Sequence, residues 1–308
     1  MIQFYKNFYH ASSDFLFQRN PYTWVYGLAR TILALGTLIT LSCSSVKVLF
    51  DETIFQQVNA KHLFSNINYF QLFGWENLAL AKGLAIVLLL ITASGIYPRI
   101  TGIFQWWIAS SFFYASTIIE GGDQINSIIC LLFIPITLLD NRRWHWSSTG
   151  SSENKNFIGN LMFLLISIQM AMIYLNAVTD KVYAGTEEWK LGNAIYYYLN
   201  DAYFSYPDWM DPLMTNLLAN SFVVSSVTWG TMFLELILFG VLFSTKKIKF
   251  ALFPFAVIFH LGIAVFLGLI SFFMAMTAGL LIYLVPKDLS WPPKYQSNQL
   301  PTHQPEQP

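Results

Sequence analysis

The chain has 308 residues, of which 55% are hydrophobic, 17% aromatic and only 11% charged, and its mean hydropathy is +0.48. A soluble domain usually carries about 25% charged residues, so this composition excludes an ordinary soluble protein and indicates a membrane protein. The formal net charge is zero and no basic tract is interleaved with aromatics, so nucleic-acid binding is not expected. The remaining partner classes are the lipid bilayer, a lipophilic small molecule or another protein.

Eight apolar runs follow one another along the sequence. They are Trp24–Leu41, Leu78–Ile96, Gly102–Ile119, Ile125–Leu139, Phe157–Val178, Val224–Phe243, Phe250–Leu267 and Ser271–Val285. These runs predict an all-α fold, a polytopic integral membrane bundle of about eight transmembrane helices. The fourth and eighth runs are short for a bilayer core of roughly 30 Å, so we expect them to be extended by their flanks, to thin the bilayer or to be partly re-entrant.

The sequence divides into three parts. Residues 1–22 mix aromatic and charged side chains without a short apolar core before a cleavage site, which favours an interfacial cytoplasmic segment over a signal peptide. Residues 23–286 form one transmembrane domain with two larger loops, Ser44–Asn77 and Thr179–Val223. Residues 287–308 are rich in Pro, Gln and Ser and are predicted to be a disordered cytoplasmic tail.

The distribution of Lys and Arg predicts the orientation in the cell membrane. With the N-terminus inside, the cytoplasmic segments carry eleven of these residues and the outer segments carry four. Because basic residues are retained on the cytoplasmic side, both termini are predicted to be cytoplasmic and both larger loops to lie outside.

Neither cysteine spacing nor histidine spacing indicates a metal site. Cys43 and Cys130 both lie in or beside apolar runs. A disulfide between two outer helix halves is one interpretation, but we favour buried packing thiols, which are more common in membrane helices.

Charged or titratable side chains within or beside spans are functional candidates, because they are costly in a bilayer. They are Arg30, Lys82, Glu120, Asp123, Lys181, Glu235 and His260. For Arg30 and Lys82 we favour snorkelling, in which a long side chain reaches the head groups from near a helix end. Glu235 lies mid-span and must either be protonated or find a cation on another helix, so a structural ion pair and a catalytic role are both open. For His260, a hydrogen bond to a facing helix is favoured over proton transfer.

Lys181 is the strongest single candidate. It follows the fifth run, where Tyr174 lies seven residues earlier on the same helical face and Asp180 lies one turn after Asn176. A lysine shielded from water beneath a loop can act as a base near neutral pH. The alternative, which we favour on the residues alone, is an anchor at the helix end.

Four segments carry a resemblance to a known family. They are 20–30 (NPYTWVYGLAR), 98–102 (PRITG), 120–124 (EGGDQ) and 134–146 (IPITLLDNRRWHW). With them, residues 20–285 resemble the sporulation-delaying protein SdpB family. The resemblance implies a membrane protein that takes part in producing a secreted peptide antimicrobial from a precursor, alongside an SdpA-like partner protein.

SdpB-type proteins are in turn similar to the HTTM domain, the membrane domain shared with vitamin K-dependent gamma-carboxylases. Ala177, Lys181, Trp189 and Gly192 fit its pattern of a helix end, a lysine, a tryptophan and a glycine. The resemblance implies that Lys181 is the base that deprotonates a reduced quinone, although the cofactor itself stays unknown. Asp180 stands where the carboxylases have a second lysine, so the resemblance implies a pocket rather than a named reaction.

The pocket implied by this resemblance has two sets of residues. The catalytic candidates are Lys181, His260 and Glu235, and the candidates for lining a substrate or cofactor pocket are Asp180, Tyr174, Trp189, Glu120 and Asp123. Trp189 and the aromatic run 196–198 would cover the pocket, although an interfacial aromatic belt is the favoured interpretation of these rings.

Two classes of function stay open. The first is a membrane enzyme that modifies or helps to mature a secreted peptide, with proton abstraction by Lys181. The second is a non-catalytic scaffold or chaperone for the toxin precursor and its SdpA-like partner. A transport or immunity role is weaker, because the sequence has no inverted repeat or pair of broken helices.

Overall fold

The computed structural model describes residues 14–58, 65–118, 120–147, 149–201 and 206–287. In these ranges the chain is mainly helical, and each of the eight predicted runs coincides over most of its length with one long helix. We number the long helices α1 (Trp24–Cys43), α2 (Leu78–Ser94), α3 (Pro98–Ala115), α4 (Gly121–Leu139), α5 (Glu153–Thr179), α6 (Ser221–Gly240), α7 (Lys246–Leu267) and α8 (Ile270–Leu284).

Six helices of the described ranges are long and apolar enough to cross a membrane. The other two are α3, which has 18 residues, and α8, which has 15. The fourth predicted span is extended at its N-terminal flank, since α4 begins at Gly121. The predicted break after Leu267 is confirmed, because Gly268 adopts a left-handed conformation there and ends α7. The all-α membrane bundle is therefore confirmed.

Shorter helices occupy the two larger loops. The first loop contains Val46–Leu49, Glu52–Val58 and Tyr69–Phe73, and the second contains Glu187–Leu191, Ala194–Leu199 and Asp211–Leu218. The first loop is fastened to the bundle by polar contacts. Asn68 donates to the backbone oxygen of Ser111 at 2.9 Å, and the Thr117 amide donates to the oxygen of Leu49 at 2.9 Å.

Helix α8 lies at the centre of the bundle. It packs against α1, α4, α5 and α7, and most of its residues are buried. One apolar core joins α1, α4, α5 and α8, and a second joins α1, α2, α3 and the first loop. In contrast, α7 packs mainly on α8 and leaves most of its surface facing outward, as expected for a lipid-facing helix.

A close approach between α4 and α8 explains how a 15-residue helix is held in a bundle of longer ones. The Glu120 carboxylate accepts hydrogen bonds from the Ser271 hydroxyl and from the Phe272 amide at the start of α8. A side chain at Gly122 would meet the Phe272 backbone nitrogen at 2.4 Å. A carboxylate at a helix N-terminus is favourable because it satisfies free amides and the positive end of the helix dipole.

Part of the predicted interfacial segment is described. Residues Asp14–Gln18 form a π-helical turn against the start of α5, where Asn156 donates to the oxygen of Phe17 at 2.7 Å. Asn160 donates to the backbone oxygen of Arg19 at 2.8 Å. The remainder of the segment, residues 1–13, and residues 288–308 of the predicted tail lie outside the described residues.

Candidate functional site

An ion pair between two helices forms the centre of the candidate site. The Lys181 ammonium donates to both carboxylate oxygens of Glu235, at 2.8 and 2.9 Å, and to the backbone oxygen of Ala177 at 3.3 Å. The Glu235 side chain is 8% exposed and the Lys181 side chain 18% exposed. The cation that the sequence analysis required for Glu235 is therefore Lys181.

The local backbone brings the two charges together. Helix α5 continues past Thr179 into a π-helical turn, Asp180–Ala184, which carries Lys181 towards α6. Glu235 lies in the second half of α6, a helix capped at Asn220, whose side-chain oxygen accepts from the amides of Phe222 and Val223. Helices α5 and α6 pack against each other.

The second larger loop folds back over this pair. The Trp189 ring is buried and lies 5.0 Å from the Lys181 ammonium, in a cation–π geometry. Gly192 follows in a left-handed conformation with φ +78°, and a side chain there would meet the Trp229 ring of α6 at 2.7 Å. The Ile195 amide donates to the Thr228 hydroxyl at 3.3 Å, which fixes the loop to α6 beside the site.

Tyr174 and His260 lie next to the pair. Both are buried, with ring centroids 6.0 Å apart, and Tyr174 lies one turn before Ala177, whose backbone oxygen accepts from Lys181. The Tyr174 hydroxyl has no hydrogen-bond partner within the described part of the chain. The His260 Nδ1 atom lies 2.7 Å from the Ala256 oxygen, one turn back on its own helix. The predicted hydrogen bond from His260 to a facing helix is therefore wrong, because its own helix supplies the carbonyl.

Glu120, Asp123 and Asp180 make no hydrogen bond or ion pair with the side chains of Lys181 and Glu235 in the described part of the chain. Phe272 lies between Glu120 and His260, since its ring is 5.7 Å from that of His260 while its backbone amide donates to Glu120. Asp123 is buried on α4, and its Oδ1 atom has no partner among the described residues. Asp180 is exposed, so its side chain does not line the site.

Lys181, Glu235, Trp189, Tyr174 and His260 thus form one cluster, which we call the lysine site. Among the described residues, no group of three His, Cys, Asp or Glu is placed to hold a metal ion.

The chain has two similar proteins in Bacillus subtilis (strain 168). It is 34% identical to YitO over 280 residues, covering 88% of each chain. It is 33% identical to the sporulation-delaying protein SdpB over 273 residues, covering 87% of this chain and 83% of that protein. The chain belongs to the sporulation-delaying protein SdpB family. No model of a protein family and no solved structure matches it.

Three of the four segments that carried the SdpB-family resemblance meet at the predicted cytoplasmic end of the bundle. Arg30 is fully buried there. Its guanidinium donates to the Thr101 hydroxyl and to His145 Nδ1, the latter at 3.2 Å, and its backbone oxygen accepts from Gln105 at 2.9 Å. The predicted snorkelling of Arg30 is therefore wrong, because the 140–147 loop covers the helix end and satisfies the guanidinium inside the bundle.

His145 acts as a neutral acceptor in this cluster. Arginine can only donate, so Nδ1 of His145 must be unprotonated. Burial, with Arg30 and Arg142 adding to it, lowers the pKa of His145 to about 3. The His145 amide donates to the oxygen of Gly95 at 2.9 Å, which holds the loop against the end of α2.

Arg142 and Asp140 complete this group, which we call the arginine cluster. Its members are Arg30, Thr101, Asp140, Arg142 and His145. Arg142 donates to both carboxylate oxygens of Asp140 at 2.8 Å, and to the backbone oxygens of His145 and Ser147 at 2.7 Å. Sequence reasoning assigned no role to Asp140, Arg142, His145 or Thr101. Their only signal was their place inside the SdpB-family segments, since none of them lies mid-span.

Lys82 and the two cysteines are the remaining residues that the sequence analysis singled out. Lys82 donates to the backbone oxygen of Ser44 at 2.6 Å, beside the end of α1. Both cysteines are free thiols. Cys130 is buried, as predicted for a packing thiol, but the same prediction is wrong for Cys43, which is exposed at the end of α1.

Proposed function

We propose that this protein is required for the production or maturation of a secreted peptide, and that it acts through proton transfer at the lysine site. Membership of the SdpB family supports the first part, since a relative is named for the sporulation-delaying system. The second part is supported by one observation, the Lys181–Glu235 pair held beneath Trp189.

A buried ion pair in a membrane bundle is weak evidence for stability. Removing two charges from water costs about as much as their attraction returns, and apolar side chains of similar size would hold the same helices together. Charged residues inside membrane helices therefore mark functional sites by default. The lysine site carries such a pair beside a second titratable group, His260, and an unpartnered hydroxyl, Tyr174.

The pair can exchange a proton without changing its net charge. When the Lys181 proton passes to Glu235, a neutral amine and a carboxylic acid replace the two ions. A low-dielectric environment favours this neutral form relative to water. The free amine then takes a proton from an acidic group of the substrate, which leaves the substrate as an anion beside the regenerated ammonium.

The residues also fit a lipophilic cofactor that carries ring oxygens, such as the reduced quinone implied by the HTTM resemblance. The Tyr174 hydroxyl is buried without a partner, and the rings of Trp189, His260 and Phe272 supply flat apolar walls. When bound, such a cofactor would supply the acidic group and the redox chemistry. Tyr174 would donate to a ring oxygen, and Lys181 would hold the proton.

A second function is favoured by a different observation. All three hydrogens of the Lys181 ammonium are directed to acceptors, two carboxylate oxygens and the Ala177 carbonyl. An ammonium saturated in this way suits a structural clamp between α5 and α6. In that case the protein would be a non-catalytic scaffold for the peptide precursor and an SdpA-like partner.

Substitution of Lys181 by arginine separates the two functions. Arginine keeps the charge and the ion pair but does not lose its proton. We expect Lys181→Arg to be expressed at the normal level and to reduce active peptide by about 100-fold or more, the scale of a lost general base. The experiment co-expresses each variant with the precursor and the SdpA-like partner and measures the secreted peptide by mass spectrometry and by growth inhibition.

Lys190→Ala is the matched control, because Lys190 also pairs with a carboxylate, Glu187, but in an exposed position of the same loop. It should leave peptide production unchanged. Full production by Lys181→Arg combined with its loss in Lys181→Ala would show that only the charge is needed, and the scaffold function would replace proton transfer.

A further inference from the structure

A cavity of about 220 Å³ lies at the predicted cytoplasmic end of the bundle, far from the lysine site. Its walls include Tyr22, Leu139, Asp140, Asn141, Arg142 and Lys155. These residues come from the approach to α1, the end of α4 and the start of α5. The cavity is therefore formed where three elements leave the apolar part of the bundle.

The charges around this cavity do not balance. The Arg142 guanidinium lies 5.8 Å from the centroid of the buried Tyr26 ring. Asp140 is the one carboxylate that forms an ion pair with Arg30 or Arg142 among the described residues. Asp140 is engaged by Arg142, so Arg30 is left with the neutral acceptors His145 and Thr101. The Arg30 Nε atom and the Tyr26 hydroxyl are both buried without a partner in the described chain. An excess positive charge in a low-dielectric region favours a bound anion.

The cavity itself offers unused donors. Lys155 is half-buried and Asn141 is exposed, and neither has a hydrogen-bond or ion-pair partner among the described residues. Arg142 has one Nη2 hydrogen beyond the one given to Asp140, whereas the Thr149 hydroxyl at the cavity already donates to the Gly150 oxygen at 3.0 Å. An ammonium, an amide and a guanidinium together match the several acceptor oxygens of a phosphate group.

We propose that this cavity binds a phosphate group, supplied by the head group of an anionic phospholipid in the cytoplasmic leaflet. Leu139 gives the cavity an apolar wall where α4 ends, which suits the glycerol and first acyl carbons of a lipid. The bound head group offsets the excess charge of Arg30 and Arg142 and holds the 140–147 loop on the ends of α1 and α4. Basic pockets between membrane helices on the cytoplasmic side have the same chemistry.

The test is a binding titration on the purified full-length protein in a neutral detergent, with three probes. These are short-chain phosphatidylglycerol, short-chain phosphatidylcholine and inorganic phosphate. We expect phosphatidylglycerol to bind at least about tenfold more tightly than phosphatidylcholine. Lys155→Gln should weaken phosphatidylglycerol binding by about tenfold, and Lys155→Arg should restore it.

Lys247→Gln is the matched control, because Lys247 is an exposed lysine at the same end of the bundle and does not line the cavity. It should bind phosphatidylglycerol as the unaltered protein does. Inorganic phosphate that binds as tightly as the lipid, and loses affinity in Lys155→Gln, would support the phosphate site and assign it to a soluble phosphate compound. Binding of phosphatidylglycerol that is equal in Lys155→Gln and Lys247→Gln would overturn the proposal.

Discussion

The two ends of the bundle hold a buried cation in different ways. At the predicted outer end, Lys181 is paired with a carboxylate of another helix and lies beneath an aromatic ring. At the predicted cytoplasmic end, Arg30 is fully buried without a carboxylate within 4 Å in the described chain, and a neutral histidine and a threonine accept its hydrogen bonds. Both arrangements offset the free-energy cost of placing a charge away from water.

The difference between the ends concerns the mobility of the proton. Lysine and glutamate can exchange a proton, whereas a guanidinium keeps its charge in a protein. The lysine site is therefore suited to chemistry, and the arginine cluster is suited to holding a loop and attracting an anion. Three predictions test this contrast and one tests the contact between α4 and α8, in order of decreasing effect.

Replacing one partner of the Lys181–Glu235 pair should lower the free energy of unfolding strongly, whereas replacing both partners should not. Lys181→Met leaves Glu235 buried without its cation, so we expect a loss of roughly 3–5 kcal/mol in the free energy of unfolding. The double variant Lys181→Met/Glu235→Leu should recover to within about 1 kcal/mol of the unaltered protein. Unfolding by SDS in mixed micelles measures both. A double variant as unstable as the single one would mean that the pair itself stabilises the bundle.

The contact between α4 and α8 depends on the missing side chain at Gly122. Gly122→Ala places a methyl group 2.4 Å from the Phe272 backbone and should cost about 3 kcal/mol in unfolding free energy. The neighbouring Gly121→Ala, whose added carbon would come no nearer than 4.0 Å to Phe272, is the control and should cost less than about 1 kcal/mol. Equal losses in the two variants would contradict the close approach.

The arginine cluster should weaken in acid. The pKa of His145 is lowered to about 3 in the folded protein and returns to about 6.5 on unfolding. Its contribution to stability is therefore complete above pH 6.5 and is lost progressively as the pH falls towards 3. Between pH 7 and pH 5 this amounts to about 2 kcal/mol.

A comparison of unfolding at these two pH values isolates the contribution of His145. The variant His145→Gln keeps an acceptor for Arg30 but cannot titrate. Its loss of unfolding free energy between pH 7 and pH 5 should be smaller than that of the unaltered protein by about 2 kcal/mol. An identical loss in both proteins would show that His145 is not held neutral by the cluster.

The aromatic cover of the lysine site should have the smallest effect. Trp189→Phe keeps a ring above the Lys181 ammonium but weakens the cation–π interaction, so we expect a loss of about 0.5–1 kcal/mol. Trp209→Phe alters an exposed tryptophan of the same loop and should change unfolding free energy by less than about 0.5 kcal/mol. A larger loss in Trp209→Phe than in Trp189→Phe would contradict the proposed cover.

Sequence reasoning identified the lysine site better than the arginine cluster. Charges that interrupt an apolar run, such as Glu235, are visible because a bilayer penalises them, and the search for a cation partner follows from that penalty. His145 and Arg142 lie in a polar loop, where any polar residue is unremarkable. Their burial arises only because that loop folds back over the end of α1.

The sequence alone determined the helical membrane class, the approximate spans and the break at Gly268, because hydropathy and backbone preference act locally along the chain. It also determined which side chains would be costly in a bilayer. Only the tertiary structure decided which of them meet, since the pairing of Lys181 with Glu235 and the burial of Arg30 depend on helices far apart in sequence. Partners of that kind are fixed by packing geometry, which no local pattern encodes.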